Sequence, residues 1–577
     1  MLHQSAGHKA CHRQQQLARC SSSQLLVTPR RVYRPQSALF ARLSQELARR
    51  NASCHAVQPD FDLALAVPLA HASFDAYSPP AGAKVSEGYK AVGTMVTCLN
   101  PDFLKTAFQG MLEVTVLSAS GLRNTDTLSK SDPYVVVTHG SRGYRTATKD
   151  NTLNPVWDAK AAPVKIPVVE AVNGVLSVQL YDEDQFRQGE ELGQASLPLA
   201  QLGGQGEKTL TLPLSGKGAA AGSTVTLRCR MRLWSEMSAA ELASFTADNT
   251  SDAAVEAVAG LKVAEAAAAA LAADTVNGGA AAPQLPGNVQ AAAAQDAAAA
   301  AAAAECAQWR DLAVQMGGRE AEQLLPLAFV DATSTDTQAW MLANKESKTV
   351  VLSFRGTETS QWKDIFSDLN LFQIQPKSLK PKNPKITVHK GFLAAYESIR
   401  ETITALLETV LNGSCNGCSS NGSNWRILVT GHSLGGALAT LASYDLKLRD
   451  ATRDITCYTY GAPRVGNKAF AEEYNSLVPH TFRVTNKYDI VASVPRVAEY
   501  THVGRPVQPA GEGGALQVVQ PAAELSFEKK MLDKGPNYVI SQHMGYNYLA
   551  TFQKAVKAVG AGKANEEDGK KKLAQVA

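Results

Sequence analysis

The chain has 577 residues, of which 45% are hydrophobic and 19% charged, and its formal net charge at pH 7 is +4. This length exceeds what one hydrophobic core accommodates, so the sequence predicts two or three domains. The small net charge argues against nucleic acid as a partner, and the absence of any run of about 18 strongly apolar residues argues against a transmembrane segment.

Residues 1–58 form a basic N-terminal segment. Its first 50 residues contain eight Arg, one Lys and a single acid, Glu46, among many Ser, Gln and Ala. An N-terminus rich in Arg and Ser and poor in acids is typical of an organellar transit peptide. We therefore expect import into the chloroplast, with the mitochondrion or the cytoplasm as alternative locations. A disordered basic tail is the alternative interpretation of the same segment.

Residues 108–236 are predicted to form a small all-β sandwich, because segments 111–117 and 176–181 alternate apolar and polar residues as half-buried antiparallel strands do. Acids gather at two predicted strand ends. They are Asp126, Asp132, Asp182, Asp184 and Glu190. Five carboxylates at one end of a sandwich repel one another unless a hard cation lies between them. Oxygen ligands without His or Cys favour calcium, so the sequence predicts a calcium site.

This block resembles the C2 domain, a calcium-dependent membrane-binding module. The resemblance rests on the motifs Ser131-Asp-Pro-Tyr, Asn154-Pro-x-Trp and Tyr181-Asp-x-Asp. It implies that the five acids are the calcium ligands, with Glu190 at a position where the family usually has Asp. It also implies that Phe186, at a loop tip, inserts into lipid. The alternative is a calcium-free sandwich that binds protein or lipid by other means.

An alanine-rich segment, residues 248–307, follows the sandwich and includes the unbroken run 297–304. Alanine has high helix propensity but little side chain to bury, so the sequence predicts a partly helical linker. It separates the sandwich from a second block at residues 308–557. The charged tail at residues 562–577 is predicted to be frayed.

The second block contains the pattern Gly431-His-Ser-Leu-Gly435 between a predicted strand at 426–430 and a small-residue helix at 437–443. A serine on a sharp strand-to-helix turn holds its Oγ clear of the sheet, as a nucleophile requires. We therefore predict that Ser433 is a nucleophile. The backbone N–H of the next residue, Leu434, is one predicted oxyanion donor. Thr357, at the end of a buried strand at 349–354, is the other.

A serine nucleophile needs a general base and an acid that orients it, in the chain order Ser, Asp, His for this hydrolase class. Asp489 follows a predicted strand at 481–485. The histidines downstream are His502 and His543, and His502 lies only 13 residues after Asp489. That interval is short for the strand and crossover that precede the histidine loop. We therefore predict that His543 is the base.

These motifs resemble the class 3 (fungal-type) triacylglycerol lipases, especially their plant and algal plastid relatives. The motifs that carry the resemblance are Phe354-Arg-Gly-Thr, Val388-His-Lys-Gly-Phe, the serine pattern, Tyr460-Gly-Ala-Pro-Arg and Asn486-x-x-Asp. The resemblance implies an α/β-hydrolase fold, the triad Ser433, Asp489 and His543, and the oxyanion donors Thr357 and Leu434.

The segment at residues 358–385 is longer and richer in Lys than the family pattern. Its residues Trp362, Ile365, Phe366 and Leu369 form one helical stripe, which fits either a mobile lid or an ordinary packed helix.

The sequence therefore predicts a multidomain protein: a C2-like sandwich, an alanine-rich linker and an α/β-hydrolase. The predicted function is a peripheral membrane hydrolase that releases fatty acids from acyl lipids, with calcium in the sandwich and no cofactor for catalysis. The alternatives are an inactive, calcium-responsive membrane adaptor and a soluble esterase or thioesterase. The motifs do not encode whether the lipid is a triacylglycerol, a galactolipid or a phospholipid.

Overall fold

The computed structural model describes residues 61–77, 80, 85–184, 189–204, 206–245, 304–316, 324–356, 372–412, 425–496, 499–510, 513–520 and 534–576. All of these residues belong to one compact unit. Several predictions lie outside the described residues. They are the transit segment at 1–58, residues 248–303 of the linker, Phe186, Thr357 and the apolar stripe of residues 362–369.

Within the described residues, the N-terminal half contains three α-helices and nine strands. In chain order they are α1 (Leu63–Asp75), β1 (Tyr89–Cys98), α2 (Pro101–Ala107), β2 (Gly110–Ser120), β3 (Pro133–His139), β4 (Arg142–Thr146), β5 (Val164–Val168), β6 (Val175–Asp182), β7 (Glu191–Pro198), β8 (Lys208–Pro213), β9 (Thr224–Leu233) and α3 (239–245).

The C-terminal half alternates strands and helices. In chain order they are α4 (304–316), β10 (Leu325–Ala332), β11 (Thr337–Asn344), β12 (Thr349–Phe354), β13 (Gln373–Ile374), β14 (Val388–His389), α5 (Lys390–Asn412), β15 (Arg426–His432), α6 (Leu434–Arg449), β16 (Asp454–Tyr460), β17 (Gly466–Asn467), α7 (Lys468–Leu477), β18 (Thr481–Val484), β19 (Tyr500–Thr501), β20 (Arg505–Ala510), β21 (Ala515–Val518), α8 (Pro536–Ser541) and α9 (Gly545–Val576).

Strands β2–β9 form a sandwich of two antiparallel layers, in the orders β4-β3-β6-β7 and β5-β2-β9-β8. Buried apolar side chains alternate with more exposed residues along each strand, and the buried ones form the core of the sandwich. In β6, for example, Leu176, Val178 and Leu180 are buried against the facing layer. Side chains of successive residues point to opposite faces of a strand, so this pattern fills the space between the layers. The predicted all-β sandwich is confirmed.

Strands β10–β12, β15, β16, β18, β20 and β21 form the hydrolase sheet, in which β12, β15, β16, β18 and β20 run parallel. Apolar side chains cover both faces. In β12, Val350 and Leu352 pack with helices α5–α7, whereas Val351 packs with α1, α4 and α9. Parallel strands require such two-sided cover, which explains their continuous apolar sequences. The predicted α/β-hydrolase fold is confirmed.

Strand β1 joins the two blocks into one 13-stranded sheet. Residues 89–93 pair with β4 of the sandwich, and residues 94–98 pair with β10 of the hydrolase. The predicted sandwich began at residue 108, and the alanine-rich linker was the predicted connection between the blocks. The backbone pairing of β1 with both β4 and β10 is therefore a second connection between the blocks. The composition of the loops does not predict it.

Two further segments differ from their predictions. Residues 304–307, at the end of the predicted linker, begin helix α4, whose Trp309 is buried against the hydrolase sheet. Helix α9 extends to Val576, so the tail expected to fray is helical over nearly its whole length. Among the described residues, no helix is long and apolar enough to cross a bilayer.

Candidate active site

The strand-turn-helix predicted around Ser433 is present. Strand β15 ends at His432, helix α6 begins at Leu434, and Ser433 between them has φ 61° and ψ −128°. A non-glycine residue at positive φ is strained and persists only where the surroundings impose it. A Cβ at Gly435 would lie 2.1 Å from the Phe354 carbonyl oxygen, which is why the turn requires glycine there.

Asp489 and His543 meet at the carboxyl edge of the parallel sheet. Both Asp489 carboxylate oxygens lie 2.9 Å from His543 Nδ1, and both side chains are buried. The Val491 backbone N–H donates to Asp489 Oδ1 at 2.9 Å, and the Tyr548 hydroxyl donates to Oδ2 at 2.7 Å. Burial, and then the neighbouring carboxylate, raises the pKa of Tyr548 well above its ordinary value, so the phenol stays protonated.

Ser433 Oγ is buried and has no hydrogen-bond partner among the described residues. The imidazole ring of His432, next to it in the chain, stacks on His543 with ring centroids 4.4 Å apart. The alternative base, His502, contacts the Ala492 carbonyl through Nε2 at 2.8 Å and not the Asp489 carboxylate. The structure therefore pairs Asp489 with His543, whose ring stacks on the residue before Ser433, and it pairs His502 with the Ala492 carbonyl instead.

One of the two predicted oxyanion donors adjoins the serine. Leu434 is the first residue of α6, where a backbone N–H has no acceptor within the helix. The other, Thr357, lies outside the described residues. The last described residue before it, Gly356, is close to the serine, because a Cβ on Gly356 would be 3.1 Å from Ser433 Cβ.

A positioning contact that sequence reasoning missed comes from the segment just after α1. The Tyr77 hydroxyl lies 2.9 Å from His432 Nδ1, and His432 Nε2 lies 2.9 Å from the His543 backbone oxygen. Burial, reinforced by His543, lowers the pKa of His432 well below its ordinary value, so the ring is neutral. Because Nε2 must donate to the carbonyl, Nδ1 accepts from Tyr77.

These contacts form a chain from Tyr77 through His432 to the backbone of His543. The sequence does contain a signal for helix α1. Asp62 precedes an Ala- and Leu-rich run at residues 63–70, and an Asp before such a run is a typical helix N-cap. No element was predicted within residues 59–107, so this helix was missed.

Replacing Tyr77 by Phe leaves His432 Nδ1 buried without a donor, which costs about 1–3 kcal/mol. We expect a lower melting temperature and a fall in kcat of about 10-fold on a soluble ester, with KM unchanged, because the His543 backbone loses a fixed neighbour. Tyr546→Phe is the matched control, since that ring is 54% exposed. If kcat of Tyr77→Phe equals that of Tyr546→Phe, Tyr77 contributes packing alone.

The five acids of the sandwich lie at one end of it, because strand pairing sets Asp132, Asp182 and Glu190 side by side. The Asp132 backbone N–H donates to Asp182 Oδ1 at 2.5 Å, and the Asp182 N–H donates to the Glu190 carbonyl at 2.8 Å. Asp182 is buried. Asp126 and Asp184 lie on the adjoining loops and are half-buried.

Local contacts hold several of these carboxylates. Ser129 donates to Asp126 Oδ2 at 2.7 Å, and Arg123 pairs with Glu190 at 3.4 Å. Within the part of the chain that the structure describes, no three of the five acids place ligand atoms within 4.8 Å of one another. Five carboxylates are the kind of oxygen ligands that calcium prefers. For calcium to bind here, Asp126 and Glu190 would have to exchange their contacts with Ser129 and Arg123 for the ion.

The parallel sheet, the strained Ser433 and the buried Asp489–His543 pair together place this chain in the α/β-hydrolase class. The family described as Lipase (class 3) matches residues 351–499, and the C2 domain matches residues 110–214. The chain therefore carries a class 3 lipase domain and an N-terminal C2 domain, and both predicted resemblances are confirmed.

Individual relatives agree with this assignment. The chain is 32% identical to a Rhizopus niveus lipase over 164 residues, 28% of this chain and 38% of that lipase. It is 31% identical to phospholipase A1 EG1, chloroplastic/mitochondrial, of Oryza sativa subsp. indica over 200 residues, 30% of this chain and 45% of that protein. The chain thus spans less than half the length of these relatives.

Among solved structures, the native Rhizomucor miehei lipase propeptide complex is 28% identical, with a TM-score of 0.30. The similarity covers 35% of this chain and 63% of that one.

Proposed function

We propose that this protein is a carboxylic ester hydrolase that releases fatty acids from acyl lipids at a membrane surface. The observation that carries the proposal is the buried pairing of Asp489 with His543 Nδ1 beside the strained Ser433. Concentrating buried polar groups in this way costs folding free energy, so the arrangement does little for stability. It is, however, what acyl transfer requires.

In the proposed mechanism, His543 Nε2 takes the proton of Ser433 Oγ as the oxygen attacks the ester carbonyl carbon. Asp489 accepts the Nδ1–H and so holds the imidazole in the tautomer whose Nε2 carries no proton and can accept one. The N–H of Leu434 donates to the developing oxyanion, with Thr357 as the proposed second donor. His543 then protonates the departing alcohol, and water attacks the acyl-Ser433 ester by the same steps in reverse.

The substrate class is tested with the purified chain on a lipid panel. Emulsified triacylglycerol, galactolipid vesicles and phospholipid vesicles are compared with a soluble short-chain ester, and released fatty acid is measured. We expect long-chain lipid in a dispersed phase to be hydrolysed faster than the soluble ester. A preference for the soluble ester or for a thioester would replace the proposal with a soluble esterase or thioesterase. No hydrolysis in any assay would favour the inactive adaptor.

We further propose that the C2 domain docks the protein on the membrane through calcium held by Asp126, Asp132, Asp182, Asp184 and Glu190. Two observations support this proposal. The five acids lie at the same end of the sandwich, and an exposed apolar residue lies between Asp126 and Asp132 in the sequence. Leu128 is fully exposed, at 101% of its reference area. Exposed apolar side chains at a charged loop tip are suited to a lipid interface. Phe186 is the second proposed lipid contact.

Calcium should raise liposome binding and activity on membrane lipid and leave the soluble-ester rate unchanged, because it converts a repulsive negative tip into an attractive one. The double variant Asp182→Asn, Asp184→Asn should lose the calcium response. Glu170→Gln is the control, since this exposed acid precedes β6, at the other end of the strand from Asp182. The measurement is co-sedimentation with anionic liposomes in calcium and in chelator. Equal sedimentation in both conditions would contradict calcium-dependent docking.

We propose the chloroplast as the location. The support is the basic segment at residues 1–58 together with the printed names of two relatives, phospholipase A1 EG1 of rice and phospholipase A1-Igamma1 of Arabidopsis thaliana, which are described as chloroplastic/mitochondrial and chloroplastic. A fusion of residues 1–58 to a fluorescent protein tests it by microscopy.

A further inference from the structure

A second group of chemistry-bearing side chains lies outside the triad, where α1 meets α4. His71 and Asp75 are one helical turn apart on α1, and Cys306 belongs to the first turn of α4. One ligand atom from each of the three lies within 4.8 Å of the other two. Cys306 Sγ is 3.1 Å from Asp75 Oδ1. Among the described residues, no other three His, Cys, Asp or Glu side chains meet this closely.

His71 has a free coordinating atom. Its Nε2 is buried and has no hydrogen-bond partner among the described residues. A buried imidazole nitrogen without a partner is costly unless something binds it, and imidazole nitrogen is a common metal ligand.

The charges around the cluster suit a divalent cation. A Cys306 thiolate and the Asp75 carboxylate together carry two negative charges, which a divalent ion neutralises. Arg310 and Glu305 bring charges of opposite sign near Cys306. In the structure the Cys306 thiol donates to Asp75 Oδ1.

We propose that His71, Asp75 and Cys306 bind a thiophilic divalent metal of the zinc class. Sulfur and imidazole ligands favour zinc over calcium or magnesium, which prefer oxygen. Zinc bonds are about 2.0–2.3 Å long, so the three ligand atoms must each move inward by roughly 1 Å or less. Three protein ligands leave the fourth tetrahedral position for water. The Cys306 proton passes to solvent as the metal–sulfur bond forms.

The site would join α1 to α4, two helices that are more than 200 residues apart in the chain. Phe74, between the two α1 ligands, stacks on Trp309 of α4 with ring centroids 5.1 Å apart and packs on His432 at 4.7 Å. The metal would therefore fix α1, and with it Tyr77, against the hydrolase core. This role is independent of whether the chain hydrolyses lipid.

The test uses the full chain after treatment with a chelator. Zinc is titrated against a chromophoric indicator, and alkylation of Cys306 with and without zinc is followed by peptide mass spectrometry. The peptide-level readout separates Cys306 from the chain's other cysteines. We expect zinc to slow alkylation of Cys306 by about 10-fold or more, since coordination occupies the thiolate. Calcium should give no protection, which distinguishes this site from the C2 loops.

Two variants make the result specific. His71→Ala and the near-isosteric Asp75→Asn should each remove most of the protection and weaken zinc binding by about 10–100-fold. His139→Ala, in the sandwich, is the matched control and should behave as wild type. Melting curves without metal identify a variant that fails to fold, in which case Asp75→Asn decides the matter. Unchanged alkylation with zinc, or protection that persists in both variants, would overturn the proposal.

Discussion

Ser433→Ala and His543→Ala should each reduce hydrolysis of a soluble ester by about 10³-fold or more, and the double variant should lose little beyond either single one. The serine and the imidazole act as one unit, so removing either abolishes the same step. The rates are measured on purified protein, with circular dichroism as the check on folding. His502→Ala is the matched control and should keep near wild-type activity, because His502 contacts the Ala492 carbonyl rather than Asp489.

If His502→Ala were the severe variant and His543→Ala the mild one, the assignment of the base would be wrong. A soluble substrate is chosen so that membrane docking does not enter the comparison.

Gly461→Ala should lower kcat by about 10²-fold or more. Gly461 has φ +59°, and a Cβ there would lie 2.7 Å from Asp489 Oδ2 and 2.9 Å from His543 Nδ1. The methyl group must therefore separate the Asp–His pair or displace it, and a displacement of about 1 Å is enough to cost that factor. The positive φ adds a folding cost of roughly 1–2 kcal/mol.

Gly140→Ala isolates the backbone effect from the steric one. Gly140 has a similar φ of +62°, with nothing within 4 Å of its ideal Cβ. Both variants should lose stability, measured by thermal unfolding, but only Gly461→Ala should lose turnover. Equal kcat values for the two would show that the Asp489–His543 pair tolerates the added methyl.

The sequence was sufficient for the local features of the site. Gly431 and Gly435 around a serine between a strand and a helix predict a strained turn because no other residue fits such close backbone. The order Ser, Asp, His is that of the hydrolase class, and it led to the prediction of Asp489 and His543, which the structure pairs. The alternation of apolar and polar residues in segments 111–117 and 176–181 likewise predicted the sandwich.

The contacts between distant segments could not be predicted in this way. Tyr77 reaches His432 across 355 residues, and neither residue carries a local pattern that names the other. Strand β1 pairs with two sheets at once, which depends on the geometry of both. His71 and Cys306 meet only because α1 and α4 pack together through Phe74 and Trp309. Periodicity describes which face of an element is apolar but not which element will cover it.

The most direct test of the central claim is covalent labelling with an organophosphate ester that phosphorylates activated serines. The native chain, with detergent or lipid present, should give a single adduct that peptide mass spectrometry locates on Ser433. Labelling should be lost on denaturation and in His543→Ala, because an unactivated hydroxyl does not attack phosphorus at an appreciable rate. An adduct on another residue, or a Ser433 that labels as fast in His543→Ala as in wild type, would contradict the proposed Ser433–His543–Asp489 triad.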